Sequence, residues 1–243
     1  MPGQRLALSL DAELQQQLQA RLAQERSASA VLMDVHTGEV YALASHPSFD
    51  PNQFSRQLTT GLWQELLNDP AHPLTNKAVS GQYPPGSTFK MVTALAGLEA
   101  GVIDAGTQVF CPGHFQYGEM TFHCWKPEGH GTVDLGTALE QSCDVFFYDM
   151  ANKVGIDKIA ATARRLGLGD KLGIELAEEQ SGLVPDRAWK RRRGRGAWLP
   201  GETINTAIGQ GDILATPLQL AVMTARLVNG GRAVSPWLLG YAD

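Results

Sequence analysis

The sequence lacks a long apolar run. None approaches the roughly 18–20 residues needed to cross a bilayer, so the 243 residues contain no candidate membrane helix. The opening stretch, MPGQRLALSLDAELQQQL, also lacks the apolar segment of a signal peptide. The chain is therefore expected to be either cytoplasmic or a piece of a longer exported protein. It lacks excess positive charge as well. A formal net charge of -5 argues against nucleic acid as a partner. Internal repeats and low-complexity tracts are absent. Cysteine is scarce: there are three, at 111, 124 and 143, and an odd number leaves one over after any disulfide. What remains is a globular composition, 43% hydrophobic and 19% charged, enough for one large domain or two lobes with a real core.

The apolar pattern gives a first outline. Leu10, Leu14, Leu18 and Leu22 fall four apart and predict a helix with one apolar stripe, Asp11 standing where a cap belongs. In SAVLMDVHTGEVYALAS, Val31, Met33 and Val35 alternate, Thr37-Gly38 turns, and Val40, Ala42 and Ala44 alternate again. That pattern predicts a β-hairpin. From Pro47 to Asn76 the chain reads as irregular and polar, with one helical turn at GLWQELL. The stretch STFKMVTALAGLEAGV reads as a helix apolar on most faces, which predicts burial. LGTALEQSCDVFFYDMANKVG continues as helix to a stop at Gly155, and DKIAATARRLGLG is a short amphipathic helix ending at glycine. ATPLQLAVMTARLVNGG is a helix with Pro217 in its first turn and Asn229-Gly230-Gly231 at its end. The basic run from Lys190 to Arg195, KRRRGR, carries no interleaved aromatic residue and reads as a solvated loop.

The chemistry concentrates in GQYPPGSTFKMV. Residues i and i+3 of a helix share a face, so Ser87 in the first turn and Lys90 one turn on would be neighbours. A serine hydroxyl is a poor nucleophile until a base takes its proton. Burial in an apolar helix favours the neutral lysine that could do so. A helix N-terminus adds free N–H groups that suit a developing oxyanion. Alone, S-x-x-K more often marks a surface serine and a snorkelling lysine. Here the helix is too apolar for a surface helix, and a second motif follows: Ser142-Cys143-Asp144.

YPPGSTFKMVTALAGLEAGVI, SCDVFFYDMANKVGID and IGQGDILATPLQLAVMTARLVNGG together resemble the transpeptidase domain of class B penicillin-binding proteins, of the cell-elongation type. The resemblance runs from about Leu6 to the end of the chain. It implies an α/β fold of the β-lactamase/transpeptidase type: an antiparallel sheet flanked by helices, plus an all-helical lobe. Residues 1–243 would be one such domain, in part. It further implies that Ser87 is the acylated nucleophile, Lys90 its general base and Ser142 a proton relay. Asp144, standing where many relatives have asparagine, would orient Lys90 and a substrate amide. The Ser87 N–H would form half of an oxyanion hole. Gly209-Gln210-Gly211 reads as structural. The family's third motif, K-T-G or K-S-G, does not occur in the sequence. The expectation is a chain ending before that motif, its membrane anchor, pedestal domain and last strands lying elsewhere.

The stretch from Cys111 to Cys143 also holds His114, His123 and His130. Cys111, Cys124, His130 and Cys143 would make a closed tetrahedral Cys3His zinc site. Some relatives are expected to carry a metal beside the middle motif at similar positions. The alternatives are a Cys111–Cys124 disulfide with Cys143 free, or three unrelated thiols. His114 and His123 are reserve ligands. The activity implied is peptidoglycan D,D-transpeptidation through a serine acyl-enzyme, needing no cofactor for catalysis. Its substrates would be stem peptides, with β-lactams as acylating agents. The protein would work on the periplasmic side of the inner membrane, among elongation-complex proteins that include a glycosyltransferase. The rival readings are a β-lactam sensor or scaffold without turnover, and a serine β-lactamase.

Overall fold

The structure is a computed structural model that describes residues 5–55 and 59–240. Met1 to Gln4, part of the N-terminus scanned for a signal peptide, lie outside the described residues, as do positions 56–58 of the stretch expected to be irregular and the last three residues. In chain order the first elements are β1 (Ala7–Leu8), α1 (Ala12–Leu22), β2 (Ala28–Met33), β3 (Val40–His46), α2 (Thr60–Asn68), α3 (Lys90–Glu99), β4 (Val109–Cys111), β5 (His114–Tyr117) and β6 (Met120–His123). There follow β7 (Gly131–Val133), α4 (Leu135–Glu140), α5 (Asp144–Val154), α6 (Ile156–Arg165), α7 (Arg187–Arg192), α8 (Pro200–Ala207), α9 (Pro217–Val228) and β8 (Leu239–Gly240). They divide between two compact units. One comprises 1–82, 170–182 and 215–243; the other comprises 83–169 and 183–214.

The first unit is built on the β2–β3 hairpin. Val40, Ala42 and Ala44 alternate inward and are fully buried, as the period of two requires. Val40, Val79, Ile174, Leu218 and Leu238 form its core, with Leu10, Val31, Met33 and Leu43 packed at the margin. The second half of the hairpin matches the expected alternation, but β2 stops at Met33, and Val35 lies in the turn. The reason is Asp34, whose Oδ1 accepts the N–H groups of His36 (2.8 Å) and Thr37 (2.7 Å) and starts the turn early. Gly38 completes it at φ +81°, where an added Cβ would lie 2.0 Å from the carbonyl oxygen of Ser235.

Helix α1 is capped by Asp11, which accepts the Leu14 N–H at 3.0 Å. Its inner face carries two glutamines beside the leucines. Gln15 bonds both the carbonyl (2.9 Å) and the N–H (2.8 Å) of Leu43, and Gln19 donates to the Ser45 carbonyl at 3.1 Å. The side-chain amides thus occupy the outer edge of β3, which would otherwise stand open to another strand. GLWQELL is more than one helical turn: α2 runs nine residues, with Thr59 as its cap. Helix α9 begins with a reciprocal capping box between Thr216 and Gln219, Pro217 in its first turn.

The second unit is mainly helical. Helix α5 buries Phe146, Phe147 and Met150 against α3 and α8, and α6 packs on α3. The expected helical lobe is present, and it also carries two short antiparallel ribbons, β4–β7 and β5–β6. Helix α3 is buried over most of its length, as its apolar faces predict, with Leu98 near its end 42% exposed. Two sequence expectations change here. The helix expected from Leu135 through Val154 is two helices, α4 and α5, broken at Gln141–Cys143. And the basic run is not simply a solvated loop. Lys190 lies in α7, buried, with Nζ 2.6 Å from Glu202 Oε2, and the guanidinium groups of Arg193 and Arg195 stack over the Trp189 ring. Among the described residues no helix is long and apolar enough to cross a membrane.

Candidate active site

The turn that bears Ser87 precedes α3. Gly86 to Phe89 form a single 3₁₀ turn that runs directly into α3. Gly86 adopts φ +57° and donates its N–H to the Gly209 carbonyl at 3.0 Å. Gly209, itself at φ +73°, lies so close that a Cβ there would meet the Gly86 oxygen at 2.2 Å. The G-Q-G stretch is therefore structural in a specific way: it seats the residue before Ser87. Ser87 is exposed, and Lys90, one turn on, is 1% exposed. The Ser87 N–H falls in the first turn, where leading N–H groups have no intrahelical acceptor.

The middle motif arrives from the break between α4 and α5. Ser142 stands at φ +54°, a left-handed conformation that costs a serine energy. This kink turns its side chain toward Ser87. The two Oγ atoms are 2.7 Å apart. Lys90 Nζ donates to Ser142 Oγ (2.8 Å), to the Ser142 carbonyl (2.8 Å) and to Asp144 Oδ1 (2.5 Å). The four residues singled out in the sequence thus lie on one continuous line, Ser87–Ser142–Lys90–Asp144. Sequence reasoning gave Lys90 an apolar setting. The structure adds three acceptors, a carboxylate among them, with the Phe147 ring 5.7 Å from Nζ. Asp144 opens α5, where a carboxylate favours the helix N-terminus.

The pocket above Ser87 encloses about 370 Å³ and is lined by Ser87, Trp125, Ser142, Asp144, Ile208 and Gln210. A larger groove of about 510 Å³ lies in the other unit, beside Gln15, Phe49 and Asn76. Trp125 and Gln210 escaped the sequence reading. Gln210 could have been found as the one side chain of the G-Q-G stretch free to face a ligand. Trp125 carries no motif, and only its place next to Cys124 sets it apart.

The cysteines converge on the same region. Cys111, Cys124, His130 and Cys143 bring their ligand atoms within 4.8 Å of one another. His130 Nδ1 is 3.5 Å from Cys111 Sγ and 3.6 Å from Cys124 Sγ. Tetrahedral zinc with Zn–S near 2.3 Å spaces its ligands by roughly 3.5–3.8 Å, so the donor set and the two His130–Sγ distances fit that ion. All three cysteines are free thiols, which is not the disulfide alternative. Burial pushes the Cys143 thiol up to about 12, and burial together with the charge of Lys126 lowers His130. A neutral imidazole is the form a metal binds, and a cation would reverse the thiol's tendency. The loops approach closely enough for this because Gly129 packs on the Cys111 carbonyl, where a Cβ would come within 2.1 Å. His114 and His123, the reserve ligands, face each other across β5–β6 and stand outside the cluster.

Residues 28–242 match the family described as penicillin binding protein transpeptidase domain. The chain belongs to the penicillin-binding-protein transpeptidase family. It is 43% identical over 239 residues to the peptidoglycan D,D-transpeptidase MrdA of Acinetobacter baumannii, covering 98% of this chain and 35% of that protein. Among solved structures, penicillin-binding protein 2 of Pseudomonas aeruginosa in complex with WCK 5153 is similar at a TM-score of 0.93 and 41% identity, over 98% of this chain and 55% of that one. The complex of Helicobacter pylori penicillin-binding protein 2 with MreC gives a TM-score of 0.93 at 36% identity, over 97% of this chain and 44% of that one. The chain thus spans about a third of the length of the curated relative. The family match crosses both compact units, and the fold is that of the penicillin-binding protein 2 transpeptidases.

Proposed function

We propose that this chain carries the serine acyl-transfer machinery of a peptidoglycan D,D-transpeptidase of the elongation type, as one transpeptidase domain assembled from both units. The observation that supports this reading most directly is the line from exposed Ser87 through Ser142 to buried Lys90. In the proposed reaction Ser87 Oγ attacks the carbonyl of the penultimate D-Ala of a stem peptide. With Lys90 as the free amine, its lone pair turned to Ser142 Oγ, the Ser87 proton passes by way of Ser142 to Lys90, and the serine N–H contributes to holding the oxyanion. The C–N bond breaks, the leaving D-Ala nitrogen takes the proton back, and the acyl-enzyme forms. An amine of a neighbouring strand then attacks the ester, gives up a proton along the same line, and frees Ser87. Asp144 orients Lys90 throughout. A β-lactam acylates the same oxygen by opening its ring. No cofactor takes part in these steps.

The Cys3His cluster is proposed to hold a structural zinc ion that fixes the loop bearing Ser142 and Asp144. The whole protein is proposed to act on the periplasmic side of the inner membrane, held by an N-terminal anchor. Its partners would be an MreC-like scaffold and a glycosyltransferase that supplies new strands.

Fluorescent penicillin tests the reading. The chain should give a covalent band on a denaturing gel that Ser87→Ala abolishes. The adduct should persist for hours; release on the order of seconds would mark a β-lactamase instead. Release of D-Ala from a stem pentapeptide separates a transpeptidase from a sensor. Metal analysis should return one zinc per chain.

A further inference from the structure

Trp125 belongs to none of the motifs above. The residue is 62% exposed and lines the pocket beside Ser87. An indole so exposed ordinarily gives its N–H to water. Here Nε1 donates to the carbonyls of Gln141 and Ser142, each at 3.1 Å. The Trp125 backbone N–H donates to Asp144 Oδ2 at 3.0 Å. Lys90 supplies the matching donors, to the Ser142 carbonyl at 2.8 Å and to Asp144 Oδ1 at 2.5 Å. The Ser142 carbonyl and the Asp144 carboxylate are therefore each shared between one donor from Lys90 and one from Trp125. Between them lies Ser142 at φ +54°, a conformation a serine keeps only where its surroundings hold it.

We infer that Trp125 is a positioning residue for acyl transfer. Its two N–H groups hold Ser142 in the left-handed turn and fix Asp144, which keeps Ser142 Oγ between Lys90 and Ser87. The ring forms one wall of the pocket, so the same residue sets the shape around the acyl group. Its neighbour Cys124 ties this strut to the Cys/His cluster, as Cys143 ties the motif from the other side. This inference rests on the acyl-transfer reading of the site.

Trp125→Phe keeps a ring and removes the indole donor; Trp125→Ala removes both. The concentration dependence of labelling by fluorescent penicillin separates the non-covalent binding constant from the acylation rate constant, and the label at saturation counts active sites. For Trp125→Phe the acylation rate constant is expected to fall roughly tenfold, the loss of about one net hydrogen bond, with binding changed less than about twofold and the saturating label intact. Trp125→Ala should show the same fall and weaker binding. An unchanged rate constant overturns the inference. So does a loss of saturating label at an unchanged rate, which a merely structural role would give. Wild-type chain that takes no label through Ser87 is instead a failure of the acyl-transfer reading. A readout that needs no acylation covers that case: hydrogen exchange of the Trp125 indole N–H, assigned by its disappearance in Trp125→Phe. It should be slowed at least about tenfold relative to free tryptophan, and exchange at the free rate overturns the inference.

Discussion

Two serines meet in the pocket from opposite kinds of backbone. Ser87 sits on a regular element: Pro84-Pro85-Gly86 sets the turn, a 3₁₀ turn follows, and α3 carries Lys90 inward. Ser142 sits at a break, left-handed, between two helices whose sequences read as one. The first is held by its own helix and by the close approach of Gly209. The second is held by hydrogen bonds from elsewhere, Lys90 on one side and Trp125 on the other. Ser87 is thus placed by its own helix together with one close backbone approach, and Ser142 by hydrogen bonds from residues distant in sequence. The two should respond differently to change.

The largest effect is expected at the contact between the serines. Ser142→Ala leaves Ser87 without its 2.7 Å partner and Lys90 without one acceptor. Acylation by penicillin should slow by about 10²–10⁴, the range for loss of a proton-transfer group, while the melting temperature stays within a few degrees. An acylation rate near wild type would show that Lys90 serves Ser87 without a relay. Next comes the seat of the first serine. Gly209→Ala puts a Cβ into the Gly86 oxygen at a positive φ and should cost about 2–4 kcal/mol in urea unfolding. A cost under about 0.5 kcal/mol would mean the turn before Ser87 yields readily. Asp144→Asn is milder, because an amide keeps one acceptor oxygen for Lys90 while giving up the oxygen that accepts the Trp125 N–H. Acylation is expected to fall by about tenfold or less, measured by the same label; complete loss would give the carboxylate a larger part than orientation. Smallest is a control in the other unit. Asp11→Ala removes the cap of α1 and should cost about 1 kcal/mol, with the rate of acylation untouched.

The same contrast explains what the sequence disclosed. Ser87 and Lys90 were legible because helical spacing alone makes i and i+3 neighbours, and because an apolar helix announces burial. The hairpin strand at Val40–Ala44 and the cap at Asp11 were legible for the same local reason. Ser142 was found as part of a motif, but its kink was not. LEQSCDVFF holds no glycine or proline, and nothing in it announces a positive φ. Trp125 acts through residues distant in sequence, so no period or spacing points to it. The basic run was misread for the same reason: its counter-charges, Glu202 and Asp212, and its stacking partner, Trp189, lie outside the run itself. The cysteines were an intermediate case. Their number and types suggested a site, and the fold brings the four ligand atoms together across more than thirty residues of chain.

The central claim is that Ser87 receives the acyl group and Ser142 only passes a proton. The most direct measurement is peptide mapping by mass spectrometry of the chain after reaction with penicillin G. The account predicts a single adduct on the peptide containing Ser87, with the Ser142 peptide unmodified. An adduct on Ser142, or none on either serine, would contradict it.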